Sequence, residues 1–283
     1  MINRLHELIS NCDALIIGAG AGLSAAAGFE YDGERFRENF WEFELKYKFH
    51  DMYSGGFYPY KTLEEKWAFW SKSIFLNRYT NPPKPLYDML RKIVEGKNYF
   101  VITTNVDHCF QKAGFDKSRL FYTQGDYGLF QCSVPCHDKT YDNERIIREM
   151  ISKQRDCKIP SDLIPICPRC GSPMETNLRS DNSFVEDEGW HRAARNYHDF
   201  LAANLQKPDA KILFLELGVG LNTPVIIKYP FQRMTSECES AFYVCVNAET
   251  CRIPKDIQER SLCIQSDLFD VINELSERAE NSR

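Results

Sequence analysis

The feature that most constrains this chain is an apolar run, Ala14–Ile17, that passes without a break into Gly18-Ala19-Gly20-Ala21-Gly22 and then Leu23-Ser24-Ala25-Ala26-Ala27-Gly28. A short apolar run bounded by glycine reads as a strand buried on both faces, and the small residues after it as a helix packed closely on that strand. A strand turning on glycine into a helix presents backbone N–H groups and the positive end of a helix dipole, which suits a diphosphate. Glycine admits the phosphate where a Cβ would hold it away. The plain alternative is a tight strand-to-helix turn with no ligand. The dinucleotide fingerprint Gly-x-Gly-x-x-Gly needs glycine at position 23 or 25, and these are Leu23 and Ala25. No strand ending in Asp or Glu follows about twenty residues later. Hydride transfer is thereby weakened, and other uses of a dinucleotide stay open.

Further strands are expected at Tyr99–Thr103, Leu120–Tyr122, Lys211–Leu217, Ala241–Val246 and Ser261–Ile264. Between them lie helical patterns: Met1–Asn11 with Leu5, Leu8 and Ile9 on one side, Leu86–Glu95 after Asn81-Pro82-Pro83-Lys84-Pro85, and Val106–Ala113 ended by Gly114. Asp187–Leu205 and Leu268–Arg278 complete the set. Strands alternating with helices give an α/β class and a Rossmann-like, doubly wound parallel sheet. Residues 31–80 hold Phe36, Phe40, Trp41, Phe43, Phe49, Trp67 and Trp70 at helical spacings. They read as a helical module folding over the nucleotide site, or as an ordinary helical layer on the sheet. Periodicity lapses from about Gln131 to Phe184, as in an insertion. The expected division is 1–30, 81–130 and 206–283 for the Rossmann-like domain, 31–80 for the helical module, and 131–205 for a small metal-binding module with its following helix.

A chain of 283 residues, 43% hydrophobic and 27% charged, is an ordinary globular composition. Its net charge of −5 gives no electrostatic reason to expect nucleic acid. No apolar run approaches the ~20 residues that span a bilayer. The opening residues resemble no signal peptide, and eleven cysteines, an odd number, suit a reducing compartment better than a disulfide framework. A cytoplasmic location is expected.

Four of those cysteines fall in short-spaced pairs, Cys132-x-x-x-Cys136 and Cys167-x-x-Cys170, separated by 30 residues. Two such pairs offer the four thiolates that structural zinc prefers, and Cys167-Pro168-Arg169-Cys170-Gly171 has a knuckle's glycine at its turn. The first pair is one residue wider than usual, and His137 beside it is an alternative ligand. Cys12, Cys109, Cys157, Cys238, Cys245, Cys251 and Cys263 read as core fillers. His6, His50, His108, His191 and His198 fit no ligand spacing; His191 and His198 read as a solvated helix face and His108 as helix surface. Asn105, taken alone, reads as the N-cap of the helix after it.

Taken together the motifs resemble the sirtuin family. Gly20-Ala21-Gly22-Leu23-Ser24-Ala25-Ala26-Ala27-Gly28 is similar to its Gly-Ala-Gly-Ile-Ser-x-x-x-Gly opening, and Thr104-Asn105-Val106-Asp107 to its Gln-Asn-Ile-Asp segment. The paired cysteines lie where a sirtuin zinc ribbon would. Leu217-Gly218-Val219-Gly220 stands at the sirtuin Gly-Thr-Ser position, and Val246-Asn247-Ala248-Glu249 resembles Ile-Asn-x-Glu. The resemblance implies NAD as co-substrate, structural zinc, and cofactor contacts from Gly20, Ala21, Gly22, Ser24, Arg35, Asn105, Asp107, Gln124, Gly218, Gly220, Asn247 and Asp267. It further implies that Asn105 orients the ribose or the attacking group and that Asp107 holds the nicotinamide carboxamide.

The departures carry as much information. A deacylating sirtuin has a His-Gly pair as its base, and here Thr123-Gln124-Gly125 stands in that place. Glutamine has no proton to exchange near neutral pH, although it can hydrogen-bond a ribose hydroxyl. The Val-Val-x-Phe-Gly-Glu segment that pairs with an acyl-lysine peptide is replaced by Glu175–Glu186, which contains Leu178, Arg179 and Asp181. The Ile-Pro-Asp-Phe-Arg segment becomes Phe29-Glu30-Tyr31-Asp32-Gly33-Glu34-Arg35-Phe36-Arg37.

This combination looks like the macrodomain-linked sirtuins of microbial pathogens. That class implies protein mono-ADP-ribosyltransferase activity on a lipoyl-carrier protein related to glycine cleavage H, reversed by a partner macrodomain. Asn105, Gln124 and Arg179 are then the catalytic set, with Arg179 steering an acidic acceptor or merely pairing with Asp181 on the surface. An NAD-dependent deacylase with an unusual base, an NAD- or ADP-ribose-binding module without turnover, and an NAD hydrolase are the competing readings.

Overall fold

The computed structural model describes residues 1–221, 224–249 and 251–281. The chain opens with α1 (Ile2–Asn11), β1 (Ala14–Ala19) and α2 (Ala21–Ala26). Helices α3 (Gly33–Tyr47), α4 (Met52–Gly56), α5 (Leu63–Arg78) and α6 (Leu86–Ile93) lead to β2 (Tyr99–Thr103). Then come α7 (Cys109–Lys112), β3 (Leu120–Tyr122), β4 (Gly125–Cys132), β5 (Tyr141–Asp142), α8 (Glu144–Lys153) and β6 (Met174–Leu178). Finally α9 (Glu188–Leu205), β7 (Ile212–Leu217), α10 (Lys228–Glu237), β8 (Ala241–Asn247), β9 (Ser261–Gln265) and α11 (Leu268–Asn281) follow.

Six strands form one parallel sheet in the order β3-β2-β1-β7-β8-β9. The chain starts at the centre, winds out through β2 and β3, and returns to wind out the other way. Strand order therefore reverses between β1 and β7, and the crevice beyond their C-terminal ends is where doubly wound sheets bind ligands. Every residue of β1, β2 and β7 is buried, as their largely apolar sequences lead one to expect. Alternate residues serve two cores. Leu15, Ile17, Val101, Leu213 and Leu215 pack against Leu5 and Ile9 of α1, Leu90 of α6 and Leu275 of α11. Ile16, Phe100, Ile102 and Phe214 pack against Tyr197 of α9 and Phe231 of α10. Helix α9, grouped by sequence with the metal-binding module, thus covers the parallel sheet. Asp187 caps it, accepting from Trp190 N at 2.8 Å.

The second unit is an antiparallel sheet in the order β5-β4-β6. It begins at Gly125, earlier than the lapse in periodicity suggested. Gly125 has φ 96°, and a Cβ there would sit 1.9 Å from Asn177 O, so the strand can start only on glycine. The stretch that looked irregular also contains α8, whose Ile147 and Met150 face inward.

The helical module and the cysteine-bearing module share a single core. Phe36, Phe40 and Phe43 of α3 and Trp67 and Phe69 of α5 meet Phe130, Cys132, Cys167 and Met174 in one cluster. Phe36 and Phe40 stack at 5.5 Å, and Trp67 meets Phe130 edge-on at 5.0 Å. The layer therefore packs on the small sheet, not on the parallel one. Trp41, counted with this stripe from its spacing, lies on the other face of α3 and is 54% exposed. Among the described residues no helix is long and apolar enough to cross a membrane.

Candidate active site

The end of β2 is pinned to the end of β1. Thr103 Oγ1 donates to Ala19 O (2.9 Å), Thr104 N donates to Ala19 O (3.1 Å), and Asn105 N donates to Thr103 Oγ1 (3.0 Å). This seats Asn105 beside the glycine turn. Its Nδ2 donates to Gly20 O and to Ser24 Oγ, each at 3.0 Å. Ser24 Oγ lies 2.5 Å from Asp107 Oδ2 and 2.8 Å from Tyr87 Oη. Asp107 Oδ1 accepts from Cys109 N at 2.9 Å. Four side chains from three segments thus form one buried, mutually bonded polar network.

Helix α7 starts at Cys109, and it is Asp107, not Asn105, that accepts from the amide of that first residue. The N-cap reading of Asn105 is overturned, because its side chain points back at β1. Tyr87 was not singled out from sequence: it lies in the apolar stripe of α6, where its ring reads as core. Burial beside Asp107 pushes its hydroxyl well above the usual tyrosine range, so it stays a neutral donor.

The glycine turn differs from expectation in one respect. Gly20 N donates to Leu217 O (3.0 Å) and Gly22 N to Gly218 O (2.9 Å). Their amides are committed to protein carbonyls rather than free for a phosphate. Their lack of a Cβ serves close packing, since a Cβ on Gly20 would come within 2.6 Å of Gly218 O. Gly218, at φ 62°, returns the contact: its own Cβ would lie 2.5 Å from Leu23 N. The turns after β1 and β7 therefore interlock across the switch point, with Ala21 at their junction. Gly220 has open space where a Cβ would stand. Asn247 at the end of β8 ties in the same loop, donating from Nδ2 to Val219 O at 3.1 Å.

Two expected cofactor residues also make structural contacts within the protein. Arg35 donates to Glu30 O (2.8 Å), Asn77 Oδ1 (2.9 Å) and Leu76 O (3.0 Å), which ties the 29–35 loop to α5. Asp267 is exposed and accepts from Phe269 N at 2.7 Å, capping α11.

Thr123 N donates to Thr103 O (2.9 Å), so the half-buried Gln124 emerges at the C-terminal edge of the sheet, one strand from Asn105. Arg179 joins it: Arg179 N donates to Gln124 O at 3.0 Å. The Arg179 guanidinium stands over the Phe184 ring (4.4 Å to its centre), near Trp190 (5.4 Å), and pairs with Glu186. The pairing with Asp181 is not made; Asp181 accepts from Ser183 N at 2.7 Å. His108, expected on a helix surface, sits in a left-handed turn with Nδ1 2.5 Å from Asp126 Oδ2. Asp126 is 5% exposed and accepts from Arg78 Nε at 2.8 Å. Burial raises its carboxyl pKa, but His108 and Arg78 outweigh this and hold it below its ordinary value. Tyr31 and Tyr127 share a 2.9 Å hydroxyl contact that fastens the 29–35 loop to β4.

In the small unit, the sulfurs of Cys132, Cys136, Cys167 and Cys170 all lie within 4.8 Å of one another. Cys132 and Cys170 are 3.5 Å apart, and Cys136 and Cys167 are 3.7 Å apart. Zn–S bonds of about 2.3 Å imply tetrahedral edges of about 3.8 Å, so the four thiols fit zinc. Hydrogen bonds from Ser172 draw the Cys170 thiol down to about 6, toward the thiolate a metal needs. His137 stands beside the set, Nδ1 3.0 Å from Cys136 Sγ and Nε2 2.8 Å from Tyr141 Oη.

The Sir2 family pattern matches residues 20–202, well over half the chain. The chain belongs to the Sir2 family. A Staphylococcus aureus (strain Mu50) relative named "Protein ADP-ribosyltransferase" is 45% identical over 269 residues, 95% of this chain and 84% of that one. A Fusarium oxysporum protein named "Probable bifunctional ADP-ribose hydrolase/ADP-ribosyltransferase" is 29% identical over 81% of this chain and 39% of its own length. A solved structure titled "Sir2-p53 peptide-NAD+" superposes with a TM-score of 0.63 at 20% identity, covering 99% of each chain. The Rossmann-like sheet with a small metal-binding unit is thus the sirtuin fold, and NAD is the co-substrate of this family.

Proposed function

We propose that this chain transfers the ADP-ribose of NAD to a lipoyl-bearing carrier protein of the glycine-cleavage H type, releasing nicotinamide. The enzyme class, an NAD-dependent protein ADP-ribosyltransferase, rests on the 45% identity across 95% of the chain with a relative of that name. The observation that carries the reading onto this site is Gln124. Just past the end of β3, the strand next to the one that leads to Asn105, the chain carries an amide that can hydrogen-bond a sugar hydroxyl but cannot take up a proton near pH 7.

NAD supplies a sugar carbon that becomes electrophilic as nicotinamide leaves. The chain's residues position and shield it. Asn105, with Nδ2 committed to Gly20 O and Ser24 Oγ, has Oδ1 left for a ligand. Asp107 retains lone pairs beyond its bonds to Ser24 and Cys109, enough to accept from a carboxamide. Preorganised groups of this kind act without reorganising during the reaction. The acceptor brings its own nucleophile. On this reading Arg179, bonded through its amide to Gln124 O, meets an acidic acceptor surface by exchanging Glu186 for it, and its existing pairing with a carboxylate supports this.

Reversal by a separate macrodomain hydrolase is part of the same proposal, and the Fusarium relative's name pairs the two activities. The test is intact mass spectrometry of a carrier protein, lipoylated and unlipoylated, after incubation with NAD. One added ADP-ribose on the carrier is expected, and a macrodomain hydrolase should remove it. No added mass on either form would contradict the proposal. Formation of O-acyl-ADP-ribose from an acylated peptide would favour a deacylase instead.

A further inference from the structure

We infer that His108 is a positioning residue, whose tie to Asp126 holds the turn after β2 in the left-handed bend that presents Asn105 and Asp107. The inference rests on the reading that those two residues serve NAD, and it concerns how they are held.

Residues 104–108 lie between β2 and α7 and belong to no helix or strand. The bend comes at His108, with φ 66° and ψ 17°. That region crowds the Cβ of an L-residue, and glycine is its usual occupant. Here an imidazole occupies it. The bend brings Cys109 N onto Asp107 Oδ1 at 2.9 Å, which leaves Oδ2 for Ser24. A residue with a Cβ persists in such a conformation only where its surroundings over-determine it.

Asp126 supplies that constraint. One of its oxygens accepts from Arg78 Nε (2.8 Å) and Gly128 N (2.7 Å), so the carboxylate is fixed by α5 and by its own strand. The other oxygen receives His108 Nδ1 at 2.5 Å. A second link runs parallel, with Tyr127 N donating to Val106 O at 2.9 Å. Strand β4, which follows directly on Gln124, thereby grips the turn that carries Asn105 and Asp107, and sets the two halves of the site at a fixed separation.

The test compares His108→Ala with His108→Gly. Both remove the imidazole and its tie, but only glycine adopts the left-handed bend freely. Alanine is expected to lower kcat for nicotinamide release about tenfold, equivalent to about 1.4 kcal/mol, with KM for NAD within about twofold. Glycine is expected to recover most of that loss. Equal loss in both variants would make the imidazole itself chemically necessary and overturn the positioning role. No loss in either would overturn it as well. Hydrogen exchange without NAD keeps the question separate from the proposed activity: amides of residues 104–109 should exchange faster in His108→Ala than in His108→Gly. Identical exchange in the two variants contradicts the tie even if the protein turns over no NAD.

Discussion

Asn105 Nδ2 and the carbonyl oxygen of Gly20 lie 3.0 Å apart, joining residues 85 positions distant. The carbonyl can only accept, so the amide is locked with its nitrogen on Gly20 O and its oxygen turned away from it. Aspartate at this position has the same shape but would face Gly20 O with a second acceptor. Asn105→Asp is expected to abolish nicotinamide release and to cost about 1–3 kcal/mol of stability, the price of an unsatisfied buried group. Thermal melting together with a nicotinamide assay checks both halves. A variant as stable and active as the parent would show that the lock is unimportant.

Gln124→Ala should abolish transfer of labelled ADP-ribose while leaving the melting temperature close to the parent's, since the side chain is half-buried and its backbone carbonyl does the structural pairing with Arg179 N. Gln124→His should not confer deacylation, because the segment that pairs with an acyl-lysine peptide is also replaced. Acyl-peptide turnover by Gln124→His would refute that second statement.

Lys228 and Glu216 form an ion pair buried between the sheet and α10, with Tyr243 Oη donating to the other carboxylate oxygen at 2.6 Å. Glu216→Leu strands the ammonium and is expected to cost about 3–5 kcal/mol. Glu216→Leu combined with Lys228→Met should recover much of this. Burial lowers the Lys228 pKa, but Glu216 outweighs burial and leaves it above 10.5. A folded value above the unfolded one gives stability that is complete below pH 10.5 and lost as pH rises through the folded value. Parent and double variant should therefore differ by a constant amount across the neutral range and converge only above pH 10.5. Chemical denaturation at several pH values tests this.

Zinc removal should do more than loosen a surface hairpin. Cys132 and Cys167 belong to the same core as Trp67, Phe130 and Phe40. Cys167→Ser is expected to abolish near-stoichiometric zinc on elemental analysis and to lower the melting temperature cooperatively, with a shift in tryptophan fluorescence. Full zinc content in the variant would require another ligand, with His137 the nearest at hand.

The parallel sheet was legible because β1, β2 and β7 are buried on both faces and so appear as largely apolar runs, β7 interrupted only by the ion-paired Glu216. The cysteine cluster was legible from spacing alone. Less could be read where long-range partners decide the outcome. Phe40 and Phe130 share a core that joins two modules, and no local period reports that. Tyr87 reads as core because its ring is core; the hydroxyl that reaches Ser24 is invisible without the fold. The sequence pattern places the start of α7 at Val106, because the left-handed bend at His108 falls on a residue that does not announce it. Arg35 and Asp267 also carry structural bonds that a motif does not report, one to α5 and the other at the start of α11.

The most direct measurement counts nicotinamide released from NAD by the zinc-loaded protein with a lipoylated carrier, alongside ADP-ribose gained by the carrier. One nicotinamide per ADP-ribose transferred is expected from the parent, and none above background from Asn105→Ala. Equal release by both proteins, or none by either, would contradict the assignment of the crevice between β1 and β7 as the place where the sugar bond is cut.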